Sequence, residues 1–129
     1  MATKNVLSQT CVKINNTIFD IVEGSFSLKK GYGSKDSVKT IGEGGSITRN
    51  IVVKTEDKVA SGKFSIVNTA ENQSKIDALM DSNALTIEGI DVNGNYDPVT
   101  NASIINDPDW VGSGDGVEIN FEGDRTVSA

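Results

Sequence analysis

Histidine is absent from the 129-residue chain, and cysteine occurs once, at Cys11. Without histidine no Ser–His–Asp set can form, and the commonest general base and metal ligand is missing. A single thiol forbids an intrachain disulfide. Cys11 has no base beside it in a strand-like pattern, so it reads as a structural thiol rather than a nucleophile. Long hydrophobic runs are missing too. The longest β-branched run, Ile51-Val52-Val53, is far too short to cross a bilayer. The opening Met1-Ala2-Thr3-Lys4-Asn5 lacks the apolar stretch of a signal peptide. The expectation is a soluble product that is neither secreted through a signal peptide nor inserted in a membrane.

Basic residues are scarce in one part of the chain only. Residues 1–80 hold 11 basic and 8 acidic side chains, whereas residues 81–129 hold one basic, Arg125, and 10 acidic, for a net charge of −6. An acidic chain does not wrap nucleic acid by counterion release. The uneven placement suits either a plain solvated surface or complementary faces for contact between copies. The length suits a single domain over 1–129, with residues 1–8 and 124–129 as flexible or assembly-dependent ends.

Short alternating stretches bounded by Gly, Asn and Asp dominate the rest, the pattern of an antiparallel β protein. Val12 and Ile14 lead to a turn at Asn15-Asn16 and a second strand over 17–23. Phe26 and Leu28 alternate with polar neighbours. Residues 31–37 read as a loop, followed by a strand over 38–41 and a flexible Gly42-Glu43-Gly44-Gly45. The strongest hairpin expected from the pattern runs from 46 to 66, turning at 55–58. Ile47, Ile51 and Val53 share one face of its first strand, and Ser46, Thr48 and Asn50 the other. Its return strand sets Ala60, Phe64 and Ile66 against Ser61, Lys63 and Ser65. One helix is expected after Asn68 as N-cap, with Glu71 completing a capping-box-like pair and Ile76, Leu79 and Met80 forming its apolar core stripe. The closing strand alternates Val117, Ile119 and Phe121 with Glu118, Asn120 and Glu122.

No motif carries catalytic chemistry, and no cofactor is implied. Residues 91–97 space oxygen ligands like a calcium loop, but Tyr96 and Ala102 stand where an EF-hand needs glycine and glutamate. Asp107, Asp109 and Asp115 read as an acidic surface loop. The Gly31-x-Gly33 and Gly42-x-Gly44-Gly45 pairs lack the lysine spacing of a P-loop and the third Rossmann glycine. Trp110 is best read as an anchor holding its loop to the core, ahead of a role in stacking on sugars.

The order of pieces in residues 64–123 resembles one family. A strand leads into Asn68-Thr69-Ala70-Glu71-Asn72 and a single helix with Ile76 and Leu79. Then come Asn101-Ala102-Ser103-Ile104, Asn106-Asp107-Pro108-Asp109-Trp110 and Val117-x-Ile119-x-Phe121-x-Gly123. This is similar to the tail tube proteins of contractile-tailed bacteriophages and phage-derived tailocins. The resemblance implies a mainly β fold: an antiparallel β-sandwich or open barrel with one packed α-helix. It implies rings of six copies stacked into a tube, with the tail sheath protein around it and baseplate, initiator and terminator proteins at its ends. DNA would pass through the lumen without specific binding, and the protein would reside in the virion tail after assembly in the bacterial cytoplasm. No catalytic residue is carried over. On this reading the loop over 31–45 contacts a neighbouring subunit, with Tyr32 as anchor and Lys35 and Lys39 meeting acidic side chains. The lumen is expected to be walled by the polar face of one sheet, with Ser46, Thr48, Asn50, Ser61 and Ser65 first and Glu118, Asn120 and Glu122 second. The alternative is a small β-sandwich that binds carbohydrate or calcium.

Overall fold

A computed structural model describes residues 9–54, 58–91, 98–112, 114 and 116–125. The fold is mainly β, antiparallel throughout, with one α-helix. The strands are β1 (Gln9–Ile14), β2 (Thr17–Asp20), β3 (Ser27–Lys29), β4 (Ser34–Ile41), β5 (Ile47–Lys54), β6 (Ala60–Ile66), β7 (Leu85–Asp91), β8 (Pro98–Ile104) and β9 (Val117–Gly123), with α1 (Ala70–Asp77) between β6 and β7. Seven strands join in the order β2-β1-β7-β8-β9-β6-β3, and β4 and β5 pair only with each other.

Strand β8 belongs to both layers of the sandwich. Its start pairs with β7, through Val99 and Ala102, and its end pairs with β9, through Ser103 and Ile104. Within the β7 pairing, where the register shifts between Val99 and Ala102, Asn101 takes φ 50°, a left-handed conformation that asparagine tolerates better than most residues. The change of partner follows directly, between Ala102 and Ser103. Asn15, with φ 53°, makes the β1–β2 turn expected from the sequence. It also clamps that turn to β7: its N–H donates to the Thr86 carbonyl at 2.9 Å and its Oδ1 accepts from Thr86 N at 3.0 Å.

The inward faces follow the two-residue period. Val12, Ile14, Phe19, Leu85 and Ile87 come from one layer, and Phe64, Ile66, Val117, Ile119 and Phe121 from the other; all are buried. Helix α1 adds Ile76 to this core, while Leu79 and Met80, in the turn after the helix, are half-buried against it. Opposite them, Ser61, Lys63 and Ser65 of β6 lie in register with Glu122, Asn120 and Glu118 of β9 on the outer face. The alternation expected for these two strands is present, but they pair with each other.

The structure corrects three local expectations. First, the helix N-cap is Thr69, whose Oγ1 accepts from Asn72 N at 3.1 Å. Asn68 instead donates to the Val111 carbonyl at 3.0 Å and accepts from Gln73 Nε2 at 2.7 Å, tying the helix to the Trp110 loop. Second, residues 34–37 are strand rather than loop. Third, 46–66 is not one hairpin: β5 pairs with β4, and β6 with β9 and β3. Alternation states that a strand has two faces, and it does not choose the partner.

The outer edge of β2 is guarded. Lys75 at the end of α1 donates to the Ile18 carbonyl at 3.3 Å, pairs with Glu71 at 3.1 Å and lies 5.4 Å from the centre of the Phe19 ring. A lysine on a sheet edge discourages unwanted pairing with another strand. Replacing the N-cap, Thr69→Ala, should lower stability by about 1 kcal/mol, because an orphan helix N–H loses its acceptor. Chemical denaturation should show an earlier midpoint with an unchanged slope; an unchanged midpoint would refute the cap.

Candidate functional site: an unpartnered hairpin arm

Strands β4 and β5 form an eight-pair antiparallel ribbon, from Ser34 opposite Lys54 to Ile41 opposite Ile47. Every residue of β4, and all of β5 except Lys54, is exposed. A sheet of two strands with water on both faces has no core of its own. The ribbon is an arm.

Its root is built closely. Gly31 is buried at φ 92°, and a Cβ there would come within 2.9 Å of the Val59 carbonyl carbon. Only glycine fits both the angle and the space. Beside the root lies a cleft of about 740 Å³ lined by Leu28, Lys30, Tyr32, Val59, Ser61 and Glu122, among others. Tyr32 is 67% exposed, and the Arg125 guanidinium stands 6.0 Å from its ring centre. The arm ends in the tight turn at Gly42–Ser46, where Gly42 N donates to the Ser46 carbonyl at 2.7 Å.

Register assigns the two faces. Residues directly opposite in an antiparallel pair share a face. One face carries Asp36, Val38, Thr40, Thr48, Asn50, Val52 and Lys54. Its polar groups are largely satisfied internally: Asp36 pairs with Lys54 at 3.3 Å, and Asn50 Nδ2 donates to the Val38 carbonyl at 3.2 Å and to Thr40 Oγ1 at 3.4 Å. The other face carries Lys35, Ser37, Lys39, Ile41, Ile47, Arg49, Ile51 and Val53. On it Ile41 is 77% and Ile47 66% exposed, far more than isolated aliphatic side chains need be. The Lys39–Arg49 pair separates Ile41 and Ile47 from Ile51 and Val53, so the face is apolar at both ends and cationic between.

These positions redistribute the residues singled out from sequence. Lys35 and Lys39 lie on the arm's aliphatic face, and Tyr32 at its root. Thr48 and Asn50 lie on the arm's opposite face, and Ser46 at its tip donates to the Glu43 carbonyl at 3.4 Å. Ser61 and Ser65 belong to the sandwich. The five do not share a sheet, because β5 left the sandwich to pair with β4. The sandwich's outer polar face instead combines Ser61, Ser65, Lys63, Glu118, Asn120 and Glu122, with Lys63 and Glu118 paired at 3.6 Å. Lys29 of β3 joins it opposite Ser61. The arm itself was not read from the sequence; its signal was the equal length of residues 34–41 and 47–54 around a glycine-rich centre.

Trp110 is half-buried against the core cluster, in the position of a loop anchor. Around it, Pro108 is buried, and Asn106 bonds twice to β9: Nδ2 to the Glu118 carbonyl and Oδ1 from Asn120 N, both at 2.8 Å. The Asn-Asp-Pro-x-Trp segment is thus fastened to β9 through Asn106 and to the core through Trp110. Among the described residues, no three acidic or thiol side chains gather where a cation could sit. Residues 92–97 of the calcium-like loop, and Asp115, lie outside the described residues. No described helix is long and apolar enough to cross a membrane. In comparison with known proteins, the chain matches no family model and no curated sequence.

Proposed function

We propose that this chain is a structural subunit of the inner tail tube of a contractile phage-type tail. It assembles with its own copies into stacked rings, six to a ring, forming a conduit through which DNA passes without specific binding. The sheath surrounds the tube, and baseplate, initiator and terminator proteins bound its length. The chain has no catalytic role on this reading and takes no cofactor.

The observation that carries the proposal is the arm. A ribbon with four aliphatic side chains on one face, projecting from a sandwich with its own complete core, is unfavourable in an isolated subunit and favourable in an assembly that covers it. The polar outer face of β6 and β9, free of aromatic side chains, offers a wet wall along which bases do not stack. Sedimentation velocity over a wide protein concentration range, with negative-stain electron microscopy, tests the reading. Rings and tubes with an open lumen are expected. A species that stays monomeric at every concentration, or a monomer that binds glycans or Ca²⁺ and never assembles, would overturn it.

A further inference from the structure

We propose that the cleft at the root of the arm binds a nucleoside phosphate, with the base stacked at Tyr32, the phosphate on Lys29 and the sugar hydroxyls on Ser61 and Glu122. The inference stands apart from the tube reading. It concerns a small molecule on a single subunit, and Tyr32 lies off the strands of the β6–β9 wall.

The size of the cleft and the order of its chemistry carry the inference. At about 740 Å³ it falls in the range of sites for small organic ligands. Three of its polar side chains stand in one row. Lys29 of β3 is opposite Ser61 of β6, and Ser61 is opposite Glu122 of β9. Neighbouring strands lie about 4.8 Å apart, so cation, hydroxyl and carboxylate span roughly 10 Å along one line. Among the described residues neither Lys29 nor Glu122 is in an ion pair. Leu28 and Val59 add apolar surface. Tyr32 offers an exposed ring, and the Arg125 guanidinium over it offers a second planar group. Bases stack on both kinds of group.

Charge then selects the ligand class. Lys29 and Lys30 line the cleft, Arg125 stands beside Tyr32, and the Lys58 side chain lies against Gly33. These four basic residues meet one carboxylate, Glu122, and the rest of the chain holds eight basic and seventeen acidic residues. The cleft is a cationic spot on an acidic molecule. It attracts a small anion, while its surroundings repel a long polyanion such as a nucleic acid strand. Glu122 repels a bare inorganic anion but accepts hydrogen bonds from sugar hydroxyls, as an acidic residue does toward the ribose of a dinucleotide. An uncharged sugar would leave the lysines without a counter-charge. A nucleoside phosphate has ring, hydroxyls and anion together.

Isothermal titration calorimetry of the full chain at low salt, with ADP, adenosine and inorganic pyrophosphate, tests the proposal. ADP should bind saturably and at least fivefold more tightly than adenosine or pyrophosphate. Tyr32→Ala should weaken ADP binding about fivefold or more, the lower end of what one base–aromatic stack contributes, and leave pyrophosphate binding unchanged. Tyr32→Phe should behave as the parent. Lys29→Gln should weaken ADP and pyrophosphate together, and Glu122→Gln should narrow the preference for ADP over pyrophosphate. Raising NaCl to about 1 M should weaken ADP binding by screening. All three substituted positions are exposed, so the variants should melt with the parent. No saturable ADP binding up to about 1 mM would overturn the proposal. So would equal affinity for ADP and pyrophosphate, which marks a bare anion site, or Tyr32→Ala binding ADP as the parent does. Maltose or a single-stranded oligonucleotide bound more tightly than ADP would also overturn it. None of these outcomes bears on whether the subunit assembles.

Discussion

Excising the arm should leave a well-folded subunit that no longer assembles at any concentration. Gly33 and Lys58 flank it closely; a Cβ on Gly33 would lie 3.0 Å from Lys58 Cγ, so a two-residue Gly-Ser link can replace residues 34–57. The arm pairs with no strand of the sandwich, and none of its residues belongs to the buried core. Melting temperature should therefore change by no more than a few degrees, and solubility should rise as exposed isoleucine and valine are removed. The effect on association should be far larger. Fully burying one Val or Ile side chain contributes about 1.5–3 kcal/mol. Even half of that, over the four aliphatic side chains of one arm face, corresponds to a hundredfold or more in affinity, roughly. Electron microscopy and sedimentation should show only monomer. Rings or tubes from the armless chain would mean that assembly resides in the sandwich, and an armless chain that fails to fold would mean that the arm is part of the core.

The complementary prediction concerns the sandwich. Phe121→Ala should be the most damaging single change among the core aromatics. Its ring lies 6.5 Å from that of Phe26 and 6.1 Å from that of Phe64, both tilted. It also lies across Gly62, where an added Cβ would come within 2.6 Å of its Cζ. The ring therefore fills a space shaped by β3, β6 and β9 together, and no neighbouring side chain can collapse into it cheaply. Phe→Ala in a core costs about 3–5 kcal/mol, a large part of the 5–15 kcal/mol or so that holds a domain folded. A fall in melting temperature of roughly ten degrees or more is expected, with assembly lost only because the subunit unfolds. A fall of two or three degrees would show that the core relaxes around the missing ring.

The fold class and the position of the helix were legible because burial imposes a period. Val117, Ile119 and Phe121 alternate with charged or amide neighbours, and the structure buries the first set, exposes Glu118 and Glu122 and leaves Asn120 half-buried. Helix α1 was legible within a residue at its start, since Asn68 and Thr69 are both good caps and only geometry distinguishes them. Strand partners were not legible. Ile47, Ile51 and Val53 carry the same alternation as Phe64 and Ile66, yet the first set faces water. Alternation records that two faces differ and is silent on what covers either. Ser34–Ser37 escaped notice for a related reason: in a ribbon wetted on both sides, hydroxyl and charged residues cost nothing, so no periodic signal is imposed. The assignment of Ser46, Thr48 and Asn50 to a common wall with Ser61 and Ser65 failed with the pairing it assumed.

The strand order has a consequence for synthesis. Strand β1 waits for β7, and β6 for β9, so the sandwich cannot close until residue 123 has left the ribosome. The β1–β2 turn and the arm need only neighbours in sequence and can form as soon as they emerge. Each nascent chain would therefore carry its ribbon before its sandwich is complete. On the proposed reading, newly made arms on a polysome would meet chiefly other arms, whose like charge keeps them apart, and acceptors would arrive only with finished subunits. Closing the sandwich last would, on the proposed reading, delay assembly until complete subunits exist.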